Sequence, residues 1–203
     1  SKFNTTKVKK MNKLFGNCLV LSSLDVSNFD TSSVEVMESM FCGCQNLVSI
    51  NVSNFNTSLV IKMDYLFAYC YNLTSIDVSN FNTSSVTSMV QMFHRCENLR
   101  AIDVSSFNTS KVENMKDIFA FCFQLTSVNM SSFDTSKVTM MRGMFFRNYN
   151  LKYLDLSNFN TSLVKNMTVL CYNCFSLVYL NLYSFKINNE VNITNSFQNL
   201  PET

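Results

Sequence analysis

Eight cysteines are the residues of this chain best suited to chemistry. Cys18, Cys44, Cys70, Cys96 and Cys122 recur at one constant 26-residue interval, and Cys174 continues their column after Asn148 interrupts it. Cys171-Tyr172-Asn173-Cys174 is a C-x-x-C and Cys42-Gly43-Cys44 a C-x-C, spacings that elsewhere serve zinc or redox chemistry. No second C-x-x-C or histidine pair accompanies them, and a zinc site needs about four ligands, so no metal and no cofactor are expected. Cys171 takes a place that is Phe in other units, while Cys174 is simply the column cysteine. A strained or reactive disulfide between these two stays open. For the rest of the column, helices packed about 8–10 Å apart would hold Cα atoms beyond the roughly 4.4–6.8 Å that a disulfide spans. Free, buried thiols are the expectation.

His94 is the only histidine, in a column that elsewhere holds Cys42, Ala68, Ala120, Phe146 and Tyr172. So variable a column is expected to face water. On a helix His94 would not share a face with Cys96, which argues against a nucleophile pair. Three glycines cannot supply a nucleotide-binding loop or nucleophile elbow, so the chain is not expected to be an enzyme. A column of Asp25, Asn51, Asp77, Asp103, Asn129, Asp155 and Asn181 should climb a sheet at about 4.8 Å per strand. Its one adjacent acidic pair, Asp77 and Asp103, could hold Ca²⁺ between strands; a solvated hydrogen-bonding ladder is the plainer expectation. Beside it, Arg100, Lys152, Tyr153, Val178, Tyr179 and Tyr183 offer a ligand surface. A second aromatic collection comprises Tyr69, Tyr71, Phe121, Phe123, Phe146, Tyr149, Tyr172 and Phe175. These rings either form an exposed edge for a partner or fold back over the element ends.

The elements that position these groups come from the same interval. Phe3, Phe29, Phe55, Phe81, Phe107, Phe133, Phe159 and Phe185 repeat it without exception, within a unit L-x-x-[LIV]-[DN]-[VLM]-S-[NS]-F-[DN]-T-S-x-V-x-x-M-x-x-[MLI]-F-x-x-C. A fixed period of this size means a solenoid whose units complete one another's core. Leu21, Leu24 and Val26 alternate with Asp25 as in a half-buried strand. Val34, Met37, Met40, Phe41 and Cys44 then fall on one stripe of a helix about three turns long. Asp or Asn, Thr and Ser precede that stripe as N-caps, and Ser32 with Glu35 and Ser110 with Glu113 match a capping box. The expected fold is therefore α/β: a single right-handed solenoid over 1–203, of about eight strand-turn-helix turns starting near 1, 21, 47, 73, 99, 125, 151 and 177. Residues 186–203 diverge and are polar, with Asn188, Asn189, Asn192, Asn195 and Asn199, as a terminal turn should be.

Apolar residues make up 47% of the chain, ample material for such a core. Lys2, Lys7, Lys9, Lys10 and Lys13 crowd the start of the chain with no acidic residue among them, so the body beyond is mildly acidic and nucleic acid is not an expected partner. No apolar run approaches the roughly 18 residues that a membrane-spanning helix needs, so no such segment is expected. Ten Asn-x-Ser/Thr sequons recur partly at one phase of the repeat; in a eukaryotic secretory pathway they would carry a column of glycans, while the composition of the chain is by itself enough to produce them. Leu200-Pro201-Glu202-Thr203 looks like the acyl half of the L-P-x-T-G signal cleaved by sortases. The alternative is a proline that merely ends the last helix.

Residues 24–47, LDVSNFDTSSVEVMESMFCGCQNL, and 102–125, IDVSSFNTSKVENMKDIFAFCFQL, resemble the 26-residue repeat of the BspA-like leucine-rich surface proteins. The resemblance covers essentially the whole chain. It implies a leucine-rich-repeat-like solenoid that is secreted or cell-surface displayed, with cell-wall anchoring if the terminal signal is real. The implied function is non-enzymatic adhesion to a host or neighbouring-cell macromolecule. An alternative is a structural subunit that stacks on copies of itself into an extracellular filament.

Overall fold

The computed structural model describes residues 3–201. The chain winds into coils of one repeat each, and every coil is bonded to the next by parallel backbone bridges along the series Lys10, Val36, Lys62, Ser88, Asn114, Met140, Asn166 and Asn192. Numbering coils by the turn starts given above, Phe41 lies in coil two, Phe67 in coil three and Phe93 in coil four. The solenoid expectation holds, but the helix does not: the described residues contain no helix. Where a helix was expected, from Val34 to Cys44, the backbone divides its hydrogen bonds between two kinds of partner. The N–H groups of Ser39, Phe41 and Gly43 donate to the carbonyls of Asp64, Leu66 and Ala68 in the following coil, at 2.8–3.0 Å. Those of Met40, Cys42 and Cys44 close tight turns on Met37, Ser39 and Phe41, each at 3.1 Å.

The physical reason is that stacked copies of one sequence offer every second amide a partner in register, and a helix would have consumed that amide internally. The apolar spacing read as a helical stripe is satisfied as well by a run of tight turns that returns Met37, Met40, Phe41 and Cys44 to the interior. Two left-handed residues per coil make the run possible, such as Ser39 (φ 58°) and Gly43 (φ 78°). Each is the third residue of a turn, where type II geometry demands positive φ. No α-helix accommodates such residues in its interior.

Strands form only in the later coils: β1 Ala101–Asp103, β2 Ser127–Asn129, β3 Tyr153–Asp155 and β4 Tyr179–Asn181. β1 pairs with β2, and β3 with β4, both in parallel and each residue with its counterpart one repeat on. In β1 and β3 the central residue, Ile102 or Leu154, points inward and its two neighbours outward, as the sequence alternation requires. The core is one continuous column. Phe15, Phe41, Phe67, Phe93, Phe119 and Phe145 stack ring on ring with centroids 5.4–6.0 Å apart.

The threonines and asparagines taken for helix caps do other work. Thr109 is fully buried; its hydroxyl donates to the carbonyl of Asp134 (2.8 Å) and accepts from that residue's N–H (2.9 Å). The carboxylate or amide before each such Thr accepts from the N–H two residues on, as Asp30 does from Ser32 at 2.9 Å, an Asx-turn. Glu35 caps nothing and pairs instead with Lys9 of the preceding coil at 2.9 Å.

Candidate functional site

All eight cysteines are unpaired. From Cys44 onward the column lies inside the solenoid, Cys18 being half-buried, and its thiols donate to carbonyls of the preceding coil, Cys70 to Phe41, Cys96 to Phe67 and Cys174 to Phe145, each at 3.2 Å. Burial pushes the Cys44 thiol up to about 11 and that of Cys122 up to about 12, so these sulfurs stay protonated and unreactive at neutral pH. Asn148 takes the column position without a thiol and accepts from the Cys122 N–H at 2.9 Å. Cys171 interrupts the phenylalanine stack; both it and Cys174 are fully buried. Hydrogen bonding with Cys174 and burial push its pKa well up.

His94 is not on the surface. It is 6% exposed, set between the rings of Tyr69 (5.2 Å) and Phe121 (5.3 Å). The column is buried at Ala68, His94 and Ala120 and half-buried at Cys42, Phe146 and Tyr172, a difference that the residue types do not reveal. Burial, with lesser contributions from Arg95 and Lys116, lowers its pKa to about 4, and Nδ1 has no hydrogen-bond partner. The folded chain therefore refuses a proton that the unfolded chain accepts near pH 6.5, so stability falls as pH drops from about 6.5 towards 4. The slope is at most about 1.4 kcal/mol per pH unit. Denaturant unfolding should show a chain about 2 kcal/mol less stable at pH 5 than at pH 7, and His94→Leu should remove most of that difference. Equal stabilities at the two pH values would refute the assignment.

The acidic column is held mainly within each coil and not from strand to strand. Each side chain turns back on its own coil: Asp77 Oδ1 accepts from the Ser79 N–H and Asp103 Oδ1 from the Ser105 N–H, both at 2.9 Å. Hydrogen bonds from these serines hold the carboxyls of Asp77 and Asp103 below the usual range. Among the described residues no three His, Cys, Asp or Glu side chains gather where they could hold a metal ion.

The strand face gathers its expected members. Tyr153 and Tyr179 are register partners on β3 and β4 and are 60% and 45% exposed; Tyr183, just beyond β4, is 92% exposed. Lys152 and Arg100, one residue before β3 and β1, are exposed two coils apart. The equivalents of Tyr153 in other coils are small, Ser75 and Ser127 among them.

The aromatic edge is contiguous and mostly half-buried, a result between the two expectations. Phe123 stacks on Tyr149 (4.9 Å) and Tyr149 on Phe175 (5.5 Å), with Phe175 53% exposed. Phe121 meets Phe146 edge to face at 5.0 Å, Phe146 stacks on Tyr172 at 5.5 Å, and Tyr69 meets Tyr71 at 6.3 Å. Sequence reasoning missed two arginines within it. Arg95 lies over Phe121 at 4.4 Å, and Arg147 lies over Phe146 at 5.2 Å and Phe121 at 5.6 Å. The available signal was the repeat column Tyr69, Arg95, Phe121, Arg147, which alternates ring and cation.

Leu200 and Pro201 close the last described coil, Leu200 half-buried against the core; Glu202 and Thr203 lie outside the described residues. Among the described residues no helix is long and apolar enough to cross a membrane.

Coils of one length, bridged in parallel and sharing one core, define a repeat solenoid. The model of a family described as "Mycoplasma protein of unknown function, DUF285" matches residues 1–50, 43–128 and 100–203, and the chain belongs to that family. The BspA-like leucine-rich repeat resemblance read from the residues is borne out at this level. No curated protein matches. Among solved structures, the chain is similar to a leucine-rich repeat protein from Bacteroides ovatus at 18% identity and a TM-score of 0.41, covering 94% of this chain and 56% of that one. It is also similar to one from Eubacterium ventriosum at 17% identity and a TM-score of 0.44, covering 86% and 59%. The chain thus spans less than two thirds of the length of either protein.

Proposed function

We propose that the chain is a non-enzymatic binding module, displayed outside the cell, that captures a host or neighbouring-cell macromolecule on its strand face. One observation carries this reading. Tyr153, Tyr179 and Tyr183 stand in water on adjoining coils at positions where the same fold elsewhere uses serine or alanine. Tyrosines presented on a rigid scaffold give large contact area with little side-chain entropy to lose, the property of interface anchors. Lys152 adds charge beside them, and Arg100 stands on the same face two coils before Tyr153. Replacing all three tyrosines by serine restores the residue typical of their columns and should leave the melting temperature unchanged. Flow cytometry of the labelled chain on epithelial cells should show saturable binding that falls at least tenfold in the triple variant. Absence of saturable binding, or binding indifferent to the three substitutions, would sink the proposal.

End-to-end stacking is a second reading, favoured by the polarity of the inter-coil bonds. The carbonyls of Lys10, Asn12, Leu14 and Gly16 receive no donor among the described residues, and the N–H groups of Ile193, Asn195, Phe197 and Asn199 reach no acceptor among them. These rows share the register that joins every internal pair of coils, and an apolar 220 Å³ cavity lined by Phe3, Met11, Leu14 and Phe15 adjoins the carbonyl row. Sedimentation that detects only monomer at high concentration would exclude this reading.

A further inference from the structure

We propose that the edge centred on Arg147 is a docking surface for a polypeptide partner that presents a carboxylate beside an aromatic or aliphatic side chain. The first support is electrostatic. Arg95 is paired with Glu97 at 3.1 Å, but Arg147 forms no ion pair among the described residues, and its Nε is buried with no hydrogen-bond partner. The buried Nε is out of a partner's reach, but the Nη groups of this half-buried cation are not buried and form no hydrogen bond among the described residues. Its guanidinium lies over the Phe146 and Phe121 rings, and the donors of a guanidinium lie in its own plane, where they can grip a carboxylate by two parallel bonds.

The second support is conformational. Phe121 and Arg147 are both left-handed, with φ of 61° and 60°, at a position that coil two fills with glycine and coils one and seven with asparagine. The fold therefore does not require large side chains there, and such a backbone costs them about 1 kcal/mol or more each. Rings and cations are kept at a place where the backbone penalises them. The third support is apolar surface: Tyr149 and Phe175 extend the patch beside Arg147, ending in a ring 53% exposed. A fully hydrated polyanion would leave that surface unused, whereas a carboxylate flanked by an apolar side chain covers both parts.

The surface shares no residue with the strand face, so the two proposals fail separately. The probe is a random copolymer of glutamate and tyrosine, compared with polyglutamate and with heparin in about 0.15 M salt, where nonspecific attraction is largely screened. Fluorescence anisotropy should show the copolymer binding at least tenfold tighter than either comparator. Arg147→Gln should weaken copolymer binding at least tenfold, and Arg147→Lys should do nearly as much, because an ammonium offers no planar fork. Phe175→Ser, at an exposed ring that folding does not need, should also weaken it. Replacing the three strand-face tyrosines by serine should leave it unchanged. The proposal is overturned if the copolymer shows no saturable binding, if Arg147→Gln with an unaltered melting temperature binds as the parent does, or if heparin binds as tightly as the copolymer.

Discussion

Phe93→Ala should lower the stability of the chain by roughly 3–5 kcal/mol. Phe93 is fully buried and stacks on Phe67 at 5.7 Å and on Phe119 at 5.6 Å, so truncation leaves a ring-sized void and removes two stacked contacts at once. Each such contact adds about 0.5–1.5 kcal/mol beyond burial. A solenoid is held by nearest-neighbour interfaces, so weakening one in the middle should also uncouple the coils on either side. Denaturant unfolding followed by circular dichroism should show a lower midpoint together with a broadened or divided transition. Phe93→Leu, which fills most of the volume, should recover over half of the loss. A loss below about 1 kcal/mol for the alanine variant would mean that the stack does not hold the coils together.

The second large effect is expected from Thr109→Val, which keeps the shape of the side chain and removes only its hydroxyl. That hydroxyl, itself fully buried, serves both the N–H and the carbonyl of Asp134, and a methyl in its place can bond neither. Two stranded groups at about 1–3 kcal/mol each, with some relaxation, give an expected loss of about 2–4 kcal/mol. Thr109→Ser should retain most of the stability. Hydrogen exchange should show the Asp134 amide losing protection in the valine variant while amides two coils away keep theirs. Unchanged protection at Asp134 would remove the threonine ladder from the forces that hold neighbouring coils in register.

These two expectations mark how far the residues could be read. The Thr109 column was visible as a column, but its role was assigned locally, as a helix cap, because Asp-Thr-Ser before an apolar stripe is what a cap looks like in one dimension. Its hydroxyl in fact bonds 25 residues away. The stripe Val34 to Cys44 was legible as interior-facing, and every member of it is buried; its backbone conformation was not. Spacing specifies which side chains turn inward and leaves open whether a helix or a run of turns delivers them. The alternation of Leu24, Asp25 and Val26 sets which side chains turn inward, but that coil forms no strand, and the same columns become strands only from Ala101 onward.

The candidate sites divide in the same way. Tyr153, Tyr179 and Tyr183 could be found because they depart from serine-rich columns, and side chains flanking an inward residue of a strand must point outward. His94 is not placed by its variable column, whose members are buried in some coils and half-buried in others; Tyr69 and Phe121 close over it only in three dimensions. Arg147 is not legible in the sequence, because its meaning depends on which ring lies beneath it and on the lack of an ion-pair partner among the described residues.

The sequence by itself determined the coil length, the register of every coil on the next, the inward set of side chains and the membership of the strand face, because all of these follow from periodicity. Only the tertiary structure decided how the backbone spends its hydrogen bonds and where charge is left without a partner. Those outcomes depend on neighbours a full coil away along the chain, and a local pattern carries no information about whether such a neighbour will offer a donor, an acceptor or a ring.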